Sequence, residues 1–161
     1  LAGGLTDAME AAPPRTPPRS LAVSVAIWEP GERGRLFLVR RPESPDEEFP
    51  GLWGLPAATL RPGETPQEAI ARLGRHKLGI ALRSGELLAR GEQLRGDAVL
   101  TMLLYAASAE EWPPRLSTEG EEGVTHYTEW RWGEPRLLLP TALMGSLCCR
   151  LLLDTLGEVW P

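Results

Sequence analysis

The sequence holds only two cysteines, and they are neighbours, Cys148 and Cys149. An adjacent pair cannot staple a chain in the manner of small secreted domains. Basic residues are also short: 17 Lys and Arg stand against 22 Asp and Glu, for a net charge of -5. Proteins that live on the phosphates of nucleic acid need a basic face, so general nucleic-acid binding is excluded, and so is attraction to an acidic membrane. No uninterrupted apolar run approaches the ~20 residues that a bilayer span requires, and no early stretch has the layout of a signal peptide. A cytoplasmic location without membrane partners is expected.

Residues 1–20 hold almost no bulky apolar side chains and carry Pro13, Pro14, Pro17 and Pro18. Nothing there can offset the entropy of ordering, so a flexible tail is expected. Met9 opens the more natural-looking MEAAPPR, which makes residues 1–8 a candidate expression remnant.

The chain as a whole has 161 residues, 42% of them apolar and 24% charged. That is ordinary composition for one domain with a proper core, placed over residues 21–161. Leu21 to Glu29 (LAVSVAIWE) reads as a buried strand. A PGERG turn leads to Arg35 to Arg41 (RLFLVRR) as its hairpin partner. After a loop, GLWGLPAATL gives short extended pieces around Trp53 and Leu60.

A helix follows with clear punctuation. Thr65 is its cap, Pro66 its first residue, and Glu68 the reciprocal member of a capping box. The helix is expected to reach about Leu78 and stop at Gly79. IALRSGELLARGEQL, AVLTMLLYAAS and VTHYTEWRW read as further strands, the last preceded by an acidic loop. TALMGSLCCRLLLDTL, after Pro140, reads as one closing helix. Strands on both sides of a helix, with a second helix at the end, predict an α/β or α+β sandwich.

Gly51 to Ile80, GLWGLPAATLRPGETPQEAIARLGRHKLGI, carries the chemistry. It resembles the Nudix hydrolase signature, G-x5-E-x7-R-E-U-x-E-E-x-G-U with U aliphatic, and the resemblance extends over most of the folded chain. It implies an α/β/α sandwich with a mixed sheet. Residue by residue, Ala58 takes the first glycine, while Glu64 and Arg72 keep the first glutamate and the arginine. These two are the retained candidate catalytic positions. Leu73 then replaces the first helical glutamate, Gly74 takes the aliphatic position, and His76 and Lys77 replace the glutamate pair. Gly79 and Ile80 close the pattern. GLWGLP is also similar to the Nudix-like domain of adenine-specific DNA glycosylases, a recognition module without hydrolase activity.

The family is known for clamping a diphosphate and activating water with Mg²⁺ or Mn²⁺, usually on a nucleoside diphosphate linked to another group. Hard cations need oxygen ligands, and at i, i+3, i+4 spacing residues 73, 76 and 77 are expected on one helix face. Lys77 at about 5 Å from a divalent ion, with an effective dielectric of about 20, repels it by about 6–7 kcal/mol. The expectation is therefore no metal at the usual positions and no metal cofactor. Lys77 and His76 become counter-charges for a phosphorylated or nucleotide-like small molecule, with little or no metal-dependent hydrolysis.

Two alternatives stay open. One is an active pyrophosphohydrolase with a displaced Mg²⁺ or Mn²⁺ site using Glu64, Glu68 and Glu119, with Glu121 and Glu122 nearby in sequence. The other is an interaction or homodimerisation domain that uses the apolar C-terminal helix. Arg40 and Arg41, at the end of the second strand, are further ligand-binding candidates, as are Trp53 and Tyr105 for stacking on a flat ring. Trp130 and Trp132 are stacking candidates of the same kind, although most of the six tryptophans are expected to pack the core or the sheet faces. Cys148 and Cys149 are read as inert core packing.

Overall fold

The computed structural model describes residues 16–117 and 126–161. Residues 1–15 lie outside the described part, and with them most of the expected tail. So do residues 118–125, which hold Glu119, Glu121 and Glu122.

Among the described residues, seven strands form two sheets. The first has the order β4-β1-β6-β5, built from β1 (Arg19–Ala26), β4 (Ala57–Thr59), β5 (Leu82–Arg95) and β6 (Ala98–Ala109). The second has the order β3-β2-β7, from β2 (Leu36–Arg40), β3 (Trp53–Gly54) and β7 (Glu129–Gly133). β1 runs parallel to β6, while the other pairings are antiparallel. The first sheet is thus mixed.

The expected hairpin of the first two strands does not form as such. They meet at their near ends, through the Trp28–Leu36 bridge and the bonds from Phe37 N–H to Ile27 O at 2.8 Å and from Glu29 N–H to Arg35 O at 2.9 Å. β2 then leaves to pair with β3 and β7. A chain buried on both faces, as Leu36 to Val39 are, fits the middle of its own sheet as well as the edge of a hairpin.

Alternation along β1 divides the core. Ala22 and Ala26 face a cluster with Leu104, Leu138, Cys149 and Leu152. Val23 and Val25 face the opposite cluster, with Ile70, Leu73, Leu78 and Tyr105. Helix α1 (Pro66–Leu73) covers the second cluster and α3 (Leu147–Thr155) the first. This is the α/β/α sandwich with a mixed sheet.

α1 starts as its sequence requires. Thr65 Oγ1 accepts from the Glu68 N–H at 3.1 Å, Glu68 Oε1 accepts from the Thr65 N–H at 3.3 Å, and Pro66 follows the cap. Its end differs from expectation. Gly74–Leu78 is a π-helical turn, closed by Gly79 at φ 63°. Gly74 permits a close approach, since a Cβ there would lie 2.6 Å from Ile80 O and 2.8 Å from Leu82 Cγ. No other residue fits between the helix and β5.

The closing helix is broken rather than continuous. A 3-10 turn (Pro135–Leu138) leads into α2 (Leu139–Leu143), and α3 begins after Gly145 and Ser146. Gly145 has φ 108°, which stops the first piece, and its carbonyl accepts from Gln93 Nε2 at 2.9 Å. Among the described residues, no helix is long and apolar enough to cross a membrane.

Candidate functional site

The π-turn decides where the altered signature residues point. With the extra residue in the turn, the i, i+3, i+4 face expected of positions 73, 76 and 77 does not exist. Leu73 is 1% exposed in the core beneath α1. His76 is exposed to solvent, and of the three only Lys77 lines the cleft beside β4. Lys77 Nζ donates to Ala57 O at 2.8 Å and lies 5.3 Å from the centre of the Tyr127 ring.

Tyr127 completes this contact from below. Its hydroxyl accepts from the Ala57 N–H at 2.9 Å and approaches Ala57 O at 3.3 Å. Burial pushes the phenol up to about 12, so it remains a neutral donor at physiological pH. Burial acts the other way on Lys77 and lowers it to about 8, helped by Arg41 and Arg72 and opposed by Glu47. At neutral pH the ammonium is still charged, held by a carbonyl and an aromatic face rather than by a carboxylate.

These groups open onto a cleft of about 930 Å³. Ser20 and Ala22 of β1 and Leu100 and Met102 of β6 line it, together with Ala57 to Pro62. Its cations are Arg41, Arg61, Arg72, Lys77 and Arg95, and its acids are Asp46, Glu47 and Glu48, from the segment after β2. His126, Ser146 and Cys148 complete the lining. The size and the convergence of charge on an apolar base suit a small-molecule site. A second hollow, of about 540 Å³, is formed by the turn from Trp28 to Gly34 and holds none of the signature residues.

The retained signature pair is a structural clamp. Glu64 accepts from Arg72 Nε at 2.9 Å and Nη2 at 2.8 Å, and also from the Arg61 N–H at 3.0 Å. Arg72 reaches on to Thr59 O at 2.8 Å. The Arg72 hydrogen bond holds the Glu64 carboxyl down at about 2. The β4–α1 turn is thereby tied to the last turn of α1. Glu68 is occupied in the capping box.

These residues do not fit a divalent ion. The Lys77 ammonium takes the Ala57 carbonyl, Leu73 is turned into the core, and Glu64 is bound to a guanidinium. Among the described residues, no three His, Cys, Asp or Glu side chains gather as a metal would need. Glu119 lies outside the described residues, so a displaced set that includes it is not described here.

Of the expected ligand contacts, the cleft brings together Arg41 and Lys77 and adds Arg72. Arg40 is engaged elsewhere, with Gly51 O at 2.9 Å, Glu43 at 2.8 Å and Glu129 at 3.3 Å. Trp53 packs beside Arg131 and accepts a hydrogen bond from Thr141 on its carbonyl. Tyr105 is buried on the α1 side of the sheet, and His76 is not part of the cleft. Trp130 and Trp132 surround Phe37, with ring centres 5.6 and 5.8 Å from it.

Sequence reasoning missed Tyr127, Arg61 and Arg95, whereas Cys148 and Cys149 pack in the core as expected, with Cys148 also at the cleft wall. Only Tyr127 left a signal, as a lone aromatic preceding the EWRW strand. The Cys148 thiol is held below its usual range by the thiol of Cys149 and the Ser146 hydroxyl, whose Oγ lies 3.5 Å away.

Comparison with known proteins agrees with this architecture. The family model described as NUDIX domain matches residues 18–144. A MutT protein from Methanosarcina mazei Go1 is similar at 18% identity and a TM-score of 0.69, over 89% of this chain and 96% of that one. The E. coli ORF135 protein is similar at 20% identity and a TM-score of 0.61, with the same coverages of 89% and 96%. An ADP-ribose pyrophosphatase from Streptococcus suis shares 14% identity with a TM-score of 0.59, over 91% of this chain and 97% of its own. Comparison with curated protein sequences gives no match. With a family match over most of its length and the sandwich that goes with it, the chain belongs to the NUDIX family.

Proposed function

We propose that this NUDIX protein binds a phosphorylated, nucleotide-like small molecule through cations of its own chain, without a metal cofactor and with little or no metal-dependent hydrolysis. One observation carries the reading: the Lys77 ammonium, 2.8 Å from the Ala57 carbonyl, brings positive charge into the cleft from a signature glutamate position. Arg41, Arg61 and Arg72 line the same cleft, so an anion entering it meets fixed positive charge without recruiting an ion. Relatives support the ligand class, since one similar structure is an ADP-ribose pyrophosphatase and another a UDP-X diphosphatase.

In this reading Lys77 attracts and orients one phosphoryl group, and Tyr127 holds the Ala57 peptide that aims the ammonium. The Glu64–Arg72 pair keeps the β4–α1 turn in place. No residue is assigned the task of activating water.

The test combines turnover and binding. Hydrolysis of nucleoside diphosphate derivatives, such as ADP-ribose to AMP and ribose 5-phosphate, is measured with Mg²⁺, with Mn²⁺ and with EDTA, beside calorimetric binding in EDTA. Binding without turnover, weakened by Lys77→Gln, is expected. Metal-dependent turnover by the natural sequence overturns the proposal and redirects attention to a displaced carboxylate site.

A further inference from the structure

The segment between β2 and β3 is a strap tied down at its base. Arg40 holds both of its ends, Glu43 at 2.8 Å and Gly51 O at 2.9 Å, and the Gly51 N–H donates to Pro42 O at 3.2 Å. Gly51 has φ 69°, and a Cβ there would come within 2.9 Å of Glu43 Cγ. Only glycine closes this base.

From the closed base the strap sends two carboxylates to two arginines. Glu47 faces Arg41 at 3.6 Å, and Glu48 contacts Arg95 at the end of β5. Phe49, 6% exposed, sits between these contacts, with the Arg41 guanidinium 5.3 Å and the Arg95 guanidinium 5.8 Å from its ring centre. All five side chains line the 930 Å³ cleft.

Two features separate this arrangement from an ordinary structural ion-pair network. Neither carboxylate forms a buried ion pair of hydrogen-bonding geometry: Glu47, 17% exposed, stands 3.6 Å from Arg41, and Glu48 is 60% exposed, where such pairs contribute little. The guanidiniums, by contrast, are positioned independently of the carboxylates, because the Phe49 ring supports both. A carboxylate can therefore leave without releasing the arginine that it covers. A phosphoryl group takes two parallel N–H donors from a guanidinium more strongly than a solvated carboxylate does.

We propose that Arg41 and Arg95 form a two-guanidinium clamp for the anionic groups of the phosphorylated ligand, and that Glu47 and Glu48 occupy it in the free protein as a built-in substitute anion. The inference rests on the cleft's being a site for a phosphorylated ligand. It adds two subsites and an intrinsic competitor: affinity is set by how readily the strap gives up its arginines. Ligands with two separated anionic groups displace both carboxylates, whereas a single anion displaces one.

The probe is inorganic pyrophosphate, titrated calorimetrically in EDTA at low salt into the natural protein and into Glu47→Gln/Glu48→Gln, which is isosteric and leaves Phe49 in place. Removing the competing charges is expected to tighten binding about tenfold, equivalent to about 1.4 kcal/mol. Adding Arg95→Gln to that double variant is expected to return affinity to the natural level or below. Equal or weaker binding by the double variant overturns the clamp and leaves the ligand reading standing. Absence of binding in both proteins overturns the clamp together with the ligand reading.

Discussion

Lys77 and Ala57 are joined across the cleft wall by a 2.8 Å hydrogen bond from the ammonium to the peptide carbonyl. The contact links the π-turn after α1 to β4, two elements whose approach shapes this end of the cleft. It also fixes a charge in a place that disfavours it. The burial that lowers Lys77 to about 8 is the same burial that makes the ammonium effective toward an entering anion.

Replacing Lys77 by Met is expected to stabilise the fold while weakening anion binding. Between about 8 and the ordinary 10.5, the unfolded chain holds the Lys77 proton more tightly than the folded one. Stability therefore rises with pH through that window, and the full cost of burying the charge is present below pH 8. Ala57 O keeps a second donor in Tyr127, so the carbonyl is not orphaned. At pH 7 Lys77→Met is expected to gain about 1–3 kcal/mol in urea unfolding, a gain that shrinks as pH approaches 10. Pyrophosphate affinity of the natural protein is expected to fall as pH rises through about 8, and that step is expected to vanish in the variant.

Glu64→Gln tests whether the retained signature glutamate is structural. The carboxyl sits at about 2 because Arg72 donates to it, with the Arg61 N–H as a further donor. A group lowered in this way stabilises the fold above its ordinary 4.5 and ceases to do so as pH falls toward 2. The variant is expected to be less stable by about 1 kcal/mol at pH 7 and indistinguishable from the natural protein near pH 2. Thermal unfolding at both pH values measures this. A Mg²⁺-dependent rise in melting temperature, abolished by Glu64→Gln, would instead make Glu64 a metal ligand.

The sandwich was legible in the sequence because its signals are local. The Thr65–Glu68 capping box, Pro66 and Gly79 mark helix ends by backbone chemistry that does not depend on the rest of the fold. The site was less legible because it depends on what surrounds each residue. A helix period places Leu73, His76 and Lys77 together, but the π-turn from Gly74 to Leu78 separates them into core, solvent and cleft. Tyr105 and Tyr127 are equivalent as sequence letters, yet strand alternation puts Tyr105 under α1, and Tyr127 falls beneath Ala57. Arg95 became visible only through the strap that folds back onto it, a contact spanning 47 positions.

Restoring the signature glutamates is expected to meet a structural obstacle first. Leu73 is packed with Ile70 and Val23 at 1% exposure, so Leu73→Glu buries a carboxylate among apolar side chains. A cost above about 2 kcal/mol is expected in urea unfolding. His76→Glu/Lys77→Glu avoids the core and is expected to fold, but the His76 position faces solvent. Neither the double nor the triple variant is expected to cleave ADP-ribose to AMP and ribose 5-phosphate with Mg²⁺. Activity in the double variant would show that the π-turn rearranges around a metal.

Cys148 offers a chemical view of the cleft that does not depend on the signature. Its thiol lines the cleft and is held below the usual range by donors on Cys149 and Ser146, whereas Cys149 is 0% exposed and pushed up by Cys148 and by burial. Cys148 is itself only 5% exposed, but the thiolate is the reactive form, so iodoacetamide at pH 7 is expected to label Cys148 faster than Cys149. Ser146→Ala removes a donor to the sulfur and is expected to slow the labelling without unfolding the protein. Pyrophosphate in the cleft is expected to protect Cys148, with the concentration dependence that calorimetry gives for binding. Peptide mapping after timed labelling reads all three outcomes. Preferential labelling of Cys149 would mean that the cleft does not open onto α3, and labelling of Cys148 indifferent to pyrophosphate would place the anion away from that end.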